Sequence, residues 1–258
     1  MIKTVHVSHV GRVRPVNEDS VFVSTLEHGY TLGVVADGMG GHLAGDTASR
    51  LAVDTVAEDL SSLEEDMSME SIRAALGDAI LHANAVIYRE ASADERLHNM
   101  GTTIVAVLLR GSEGYIGHIG DSRAYKVVPG QVIRLTDDHT LVNELFKSGQ
   151  ITEDQLETHP RKNVLSRALG TDVDVTVELT PVTIGEGEVL LLCSDGLSNR
   201  VSRELIGQIS GSLDLPLEER ADRLLQLALL AGGEDNITVA MFEHQEEVVG
   251  QRIKGWDS

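Results

Sequence analysis

The stretch TTIVAVLLRGSEGYIGHIGDSRAYKVVPGQVIRL (residues 102–135) holds four short apolar runs, at 102–110, 114–120, 123–128 and 131–135. GSEG (111–114) separates the first two and PG (129–130) the last two. Turns this short return a strand antiparallel to the one before it, whereas a parallel return needs a crossover of a dozen residues or more. Working outward, further strands are expected at 2–8, 20–26, 30–36, 173–179, 188–193 and 237–243. Between them lie two long helical patterns. Ala44, Ala48, Leu51, Ala52, Thr55, Val56, Leu60 and Leu63 share one face, and Ile72, Ala75, Leu76, Ala79, Ile80, Ala83 and Ile87 share another. These helices are expected to pair antiparallel. Later helices are expected at 202–210 and 216–231, the second with Leu217, Ala221, Leu224, Leu225 and Ala228 in a stripe. Strands and helices do not alternate as a parallel sheet requires, so the fold class is α+β, a layered sandwich. With no repeat and no Pro-, Gly- or Ser-rich linker, residues 1–243 read as one domain and 244–258 as a C-terminal tail.

Composition narrows the function. The 258 residues carry 41 Asp and Glu against 21 Lys and Arg, a net charge of −20. Such a chain repels nucleic acid phosphates and anionic membranes, and aromatic residues at 3 % leave little for base stacking. No apolar run reaches membrane-spanning length, and the first ten residues lack a secretory signal pattern, so a cytoplasmic location is expected. One cysteine, Cys193, rules out an internal disulfide framework and a thiolate zinc site.

Three apolar runs each end on an aspartate followed by a small residue: LGVVADG (32–38), YIGHIGDS (115–122) and VLLLCSDG (189–196). Asp235 stands just before a fourth run, ITVAMF (237–242). One such aspartate is an ordinary turn residue. Four of them, Asp37, Asp121, Asp195 and Asp235, delivered to one rim would repel strongly unless cations held them. Oxygen-only ligands select hard divalent ions, Mg²⁺ or Mn²⁺, and Gly38 without a Cβ would let a carbonyl approach the same ion. In RPVNED (14–19), Arg14 precedes Glu18 and Asp19. That string alone leaves two readings open, a guanidinium fork for a phosphate and a surface ion pair.

Taken in order, RPVNED (14–19), VADGMGGHLAG (35–45), MGTT (100–103), GHIGDSRAY (117–125), LTDDHT (135–140), HPRKNVLSRALG (159–170), CSDGL (193–197) and GGEDNITV (232–239) resemble the metal-dependent serine/threonine protein phosphatases of the protein phosphatase 2C type, in their compact bacterial branch. The resemblance spans residues 5 to 242. It implies a four-layer αββα sandwich, two mainly antiparallel sheets flanked by helix pairs, with a flap at about 138–170 beside the cleft. It further implies that Asp37 bridges two metals, with the Gly38 carbonyl on one and Asp195 and Asp235 on the other. Asp121 resembles the ligand of a weaker third metal that shares Asp195. Glu18 and Asp19 look like partners of metal-bound water, Arg14 like the phosphate clamp, and Asn236 like the residue that orients its neighbours.

The chemistry implied is hydrolysis of phosphoserine and phosphothreonine in proteins by direct attack of a metal-bridging hydroxide, with no phosphoryl-enzyme, opposing a cognate serine/threonine kinase. Two tightly bound Mn²⁺ or Mg²⁺ ions and a weaker third are expected, in a monomer that binds neither nucleic acid nor membrane. Met39 stands where the animal branch has a histidine; His42, in GGH, is the candidate proton donor to the leaving oxygen, with a local hydrogen bond as the alternative. His118 reads as a core histidine, and His139 and His159 as flap residues. Two rival classes remain, a phosphohydrolase of small metabolites and a non-catalytic phosphopeptide-binding protein on the same fold.

Overall fold

A computed structural model describes residues 1–245, without the side chains of His42 and Glu157. All but the first two residues of the expected tail thus lie outside the described residues.

Two antiparallel sheets stack face to face. The first contains β1 (Ile2–His9), β7 (Arg123–Val128), β8 (Gln131–Arg134), β10 (Val189–Cys193) and β11 (Ile237–His244), in the order β1-β11-β10-β7-β8. The second contains β2 (Asp19–Thr25), β3 (Tyr30–Met39), β5 (Ile104–Arg110), β6 (Glu113–Ile119) and β9 (Glu178–Thr183), in the order β2-β3-β5-β6-β9, with the short β4 (Gly101–Thr102) paired to β3. Helices α1 (His42–Asp59) and α2 (Met69–Ala93) cover the second sheet, α6 (Arg203–Ser210) and α7 (Leu217–Leu230) the first. Between them the chain forms α3 (Leu141–Lys147), α4 (Glu153–Thr158) and the single-turn α5 (Asp195–Ser198). The expected α+β αββα sandwich is therefore observed.

Apolar burial falls into three layers. Leu32, Val34 and Ile104 share one layer with Ile80 of α2; Leu191 and Val239 share another with Leu224 and Ala228 of α7. Val35, Val105, Leu190, Leu192 and Phe242 fill the space between the sheets. Period-two alternation sends successive residues of each central strand to opposite faces, which is why Leu190 and Leu191 belong to different layers.

One expectation changes and one feature is added. Within 102–135 the two expected hairpins separate: β5 and β6 lie in one sheet, β7 and β8 in the other, and the chain crosses at Gly120-Asp121-Ser122. The strand expected at 173–179 instead spans Glu178–Thr183. Asn84 on α2 explains the shift: its amide donates to the carbonyls of Asp172 (3.0 Å) and Val173 (3.1 Å) and its oxygen accepts from Gly170 N–H (2.7 Å). With these groups satisfied off the sheet, Val175 and Val177 pack against the helix-side core. No helix among the described residues is long and apolar enough to cross a membrane.

Arg220 interrupts the apolar stripe of α7 and is only 2 % exposed. Its guanidinium donates to the Ser210 carbonyl (2.8 Å) and to Glu243 on β11, itself 5 % exposed. Removing one partner of such a pair strands the other charge in the interior. Glu243→Ala is expected to lower unfolding free energy by about 3–5 kcal/mol in urea titration, with kcat per folded molecule retained. A loss below about 1 kcal/mol, the range of exposed pairs, would contradict this account.

Candidate metal centre

Antiparallel pairing brings alternate strand ends to the same rim. The C-terminal ends of β3, β6 and β10 and the N-terminal ends of β2, β7 and β11 meet there, so both sheets contribute carboxylates. Asp19 opens β2 and faces Asp37 of β3 directly in register. Asp195 follows β10 as the first residue of α5, Asp235 precedes β11, and Asp121 lies in the crossing between sheets.

Each carboxylate is anchored through its surroundings. The Asp37 peptide is fixed on both sides: its N–H donates to Thr103 Oγ1 (3.0 Å), and its carbonyl accepts from Thr103 N–H and Thr102 Oγ1, both at 2.9 Å. Asp19 Oδ2 accepts from two hydroxyls of the opposite sheet, Ser194 Oγ (2.8 Å) and Thr238 Oγ1 (2.7 Å). Asn199 donates to Asp195 Oδ2 (3.0 Å). Asn236 laces the N-terminal loop to β11: its oxygen accepts from Glu18 N–H (2.7 Å), and its amide donates to Val10 and Val16 carbonyls at 2.9 and 3.0 Å.

Gly38 has a second reason to lack a side chain. A Cβ there would stand 2.0 Å from the Gly45 carbonyl oxygen, so glycine lets the first turn of α1 settle against β3. Gly38 N–H also donates to the Glu18 carbonyl at 3.1 Å.

Electrostatics mark this rim. Burial, then the charges of Asp19, Asp195, Asp121 and Asp235, hold the Asp37 carboxyl well above the usual carboxylate range. Burial and neighbouring carboxylates likewise push Asp19 up to about 7, Asp121 to about 7 and Asp195 to about 6. Asp37 and Asp195 lie within hydrogen-bonding reach of each other, which two ionised carboxylates cannot tolerate uncompensated. Two further oxygens, Glu18 Oε1 and Asp19 Oδ1, are buried without a partner. An all-oxygen donor set, mutually repelling and with orphaned acceptors, fits hard divalent cations.

Arg14 is exposed and donates from Nη2 to Asp235 Oδ2 at 2.8 Å. The pair found is thus neither Arg14–Glu18 nor Arg14–Asp19. His42 is the first residue of α1, and its side chain lies outside the described residues. Cys193 is buried in β10, with its thiol pushed up to about 12 by burial.

The hydroxyls of Ser194, Thr238, Thr102 and Thr103 carry no pattern of their own in the sequence; the strings CSDGL, GGEDNITV and MGTT are their only trace. A cavity of about 640 Å³ adjoins Asp121, bounded by Arg123, Asp138, Lys162 and Asn199. His118, His139 and Glu178 form a second cluster behind the same crossing, with ligand-type atoms within 4.8 Å of one another. His118 is a buried residue as expected, but His139 is buried too, at the root of the segment expected to form the flap.

Comparison with known proteins agrees with this architecture. The family model for protein phosphatase 2C matches residues 8–226. The serine/threonine phosphatase stp of Listeria monocytogenes is 40% identical over 233 residues, covering 90% of this chain and 92% of that protein. PstP of Mycobacterium tuberculosis is 38% identical over 93% of this chain and 45% of its own length. Among solved structures, the catalytic domain of PstP in complex with two manganese ions superposes with a TM-score of 0.81 at 36% identity, over 94% of this chain and 97% of that one. Stp1 of Staphylococcus aureus gives 0.89 at 31% identity over 95% and 96%. With the sandwich, the acidic rim and these matches in agreement, the chain belongs to the protein phosphatase 2C family and is a protein phosphatase of that type.

Proposed function

We propose that the chain removes phosphate from phosphoserine and phosphothreonine of proteins, opposing a serine/threonine kinase, and that its acidic rim is the catalytic centre. The observation that carries this reading is the convergence of Asp37, Asp195, Asp121 and Asp19, whose carboxyls burial and then mutual repulsion hold above the usual carboxylate range, beside the orphaned Glu18 Oε1 and Asp19 Oδ1. The names of the relatives, serine/threonine phosphatases, supply the substrate class.

In this proposal Asp37, the Gly38 carbonyl, Asp195 and Asp235 hold two divalent cations, Mn²⁺ or Mg²⁺, and Asp121 with Asp195 holds a third more weakly. When bound, such ions acidify water and neutralise phosphoryl oxygens in an in-line displacement. The protein's own groups do the rest. Glu18 Oε1 and Asp19 Oδ1 accept hydrogen bonds from water and orient it, while Ser194 and Thr238 keep Asp19 from turning away. Arg14 rests on Asp235; with that carboxylate on a cation, the guanidinium would be free to grip two phosphate oxygens. His42, by its place at the start of α1, is the proposed proton donor to the leaving oxygen.

Asp37→Ala, Asp195→Ala and Asp235→Ala are each expected to abolish Mn²⁺-dependent release of phosphate from phosphoserine and phosphothreonine proteins while circular dichroism stays that of a folded protein. Full turnover in any of them, or in excess chelator, rules the centre out; a preference for nucleotides or sugar phosphates in the same assay rules out the substrate class.

Arg14→Ala is expected to raise KM for a phosphopeptide about ten- to a hundredfold with little change in kcat, because its contact exists in ground and transition states alike. An unchanged KM removes Arg14 from phosphate binding.

The raised carboxyls also set a pH dependence. Their ordinary value is about 3.9, so in chelator the folded state binds protons more tightly than the unfolded state. That contribution is full below about pH 4 and is lost as pH rises through about 6 to 7, the values of Asp195, Asp19 and Asp121. The melting temperature in chelator should therefore fall across that window, and saturating Mn²⁺ should remove the fall. Parallel curves with and without Mn²⁺ would show that these carboxylates do not bind the ion.

A further inference from the structure

The cluster behind the crossing reads as a bracket for one peptide. Gly120, the residue before Asp121, has φ +107°, and a Cβ there would stand 2.6 Å from the Thr103 side chain. Both of its polar groups are taken by histidines. Its carbonyl accepts from His139 N–H (2.8 Å) and lies 2.9 Å from His118 Nε2; its own N–H donates to His139 Nδ1 (3.1 Å).

These partners fix the tautomers. A carbonyl only accepts, so His118 Nε2 carries a proton; an N–H only donates, so His139 Nδ1 is bare and its Nε2 carries the proton. That proton points at Glu178 Oε1, 2.9 Å away. The arrangement opposes a transition ion in this cluster, because His139 spends its lone pair on Gly120 and Arg167 already brings a cation to Glu178 Oε1 at 3.3 Å.

The same contacts tie down both limbs of the segment between β8 and β9. His139 stands on the outgoing limb and Arg167 on the returning one, joined by the Thr140–Leu165 bridge and by Ser166 N–H donating to the His139 carbonyl (2.9 Å). Glu178, at the start of β9 and opposite His118 in register, receives both side chains. No sequence pattern announces this link, which joins residues 118, 139, 167 and 178.

We infer that His139 is a positioning residue for Asp121: clamped by Glu178, it fixes the Gly120 peptide and so aims the Asp121 carboxylate, making that carboxylate's hold on a cation depend on both limbs being docked. The inference rests on the proposed role of Asp121 as a ligand of the weaker cation. His118 supports the same carbonyl from below, and Arg167 acts on Asp121 only through Glu178 and His139.

Two amide substitutions separate the halves of the imidazole. In His139→Asn the amide stands where Nδ1 was and still accepts from Gly120; in His139→Gln it stands where Nε2 was and reaches only Glu178. The experiment measures Mn²⁺ binding at the weaker site by calorimetry, amide hydrogen exchange at Gly120 in chelator, and kcat and KM with p-nitrophenyl phosphate. His139→Gln is expected to weaken Mn²⁺ at that site about 10- to 100-fold, with faster Gly120 exchange, lower kcat and KM little changed. His139→Asn should lose markedly less on all three. Glu178→Gln, at a partly exposed position that tolerates substitution, should move each readout in the direction of His139→Gln but less far. Wild-type Mn²⁺ binding and Gly120 exchange in His139→Gln overturn the inference, as does an equal loss in His139→Asn. Asp121→Ala is the reference: if it loses the weaker site and His139→Gln does not, only the positioning role fails. If Asp121→Ala itself keeps the site, the reading on which the inference rests fails.

Discussion

Like-charge repulsion at one end of the sandwich is the constraint around which the rest is arranged. Asp19, Asp37, Asp121, Asp195 and Asp235 are brought there by the ends of strands from both sheets, Asp19 buried and the other four half-buried, so that water screens their charges only in part. The neighbouring groups each restrain one carboxylate: two hydroxyls on Asp19, an asparagine on Asp195, an arginine on Asp235, threonines on the peptide of Asp37. The carboxylate oxygens are held in place by these bonds, so little reorganisation is left when a cation takes the place of their protons.

This arrangement divides the labour among the layers. The two outer cores, under α1 with α2 and under α6 with α7, are conventional helix-on-sheet packings that give the molecule its cohesion. Arg220 and Glu243 belong to the second of these, as a charged pair buried inside the layer. The inner layer, where sheet meets sheet, opens at one end onto the aspartates. Chemistry is therefore concentrated where neither sheet alone would form a site.

Much of this was legible in the sequence, for a physical reason. A buried strand reads as an apolar run, and an aspartate that ends such a run marks where the strand meets the rim; Asp37, Asp121, Asp195 and Asp235 all announce themselves in this way. Antiparallel pairing was legible from GSEG and PG. The change of sheet at Asp121 was not, because apolar alternation looks the same on either side of it. The start of β9 was displaced because Asn84, far away in the chain, takes up the backbone groups of Gly170, Asp172 and Val173 that precede it. Ser194 and Thr238 escaped notice because a hydroxyl that reaches across sheets leaves no periodic trace.

The bond from Asp19 to Ser194 and Thr238 is a strut between the two sheets, anchored at one end in β2 and at the other beside β10 and β11. Sheet spacing and the spacing of the rim carboxylates are in that sense a single mechanical variable. A side chain too large or too small among Val35, Val105, Leu192 or Ala240, set back from the rim itself, would tilt one sheet on the other and reach the rim as a change in the spacing of its carboxylates. Hydrophobic residues deep in the sandwich thus act as the calipers that set the gauge of the acidic rim.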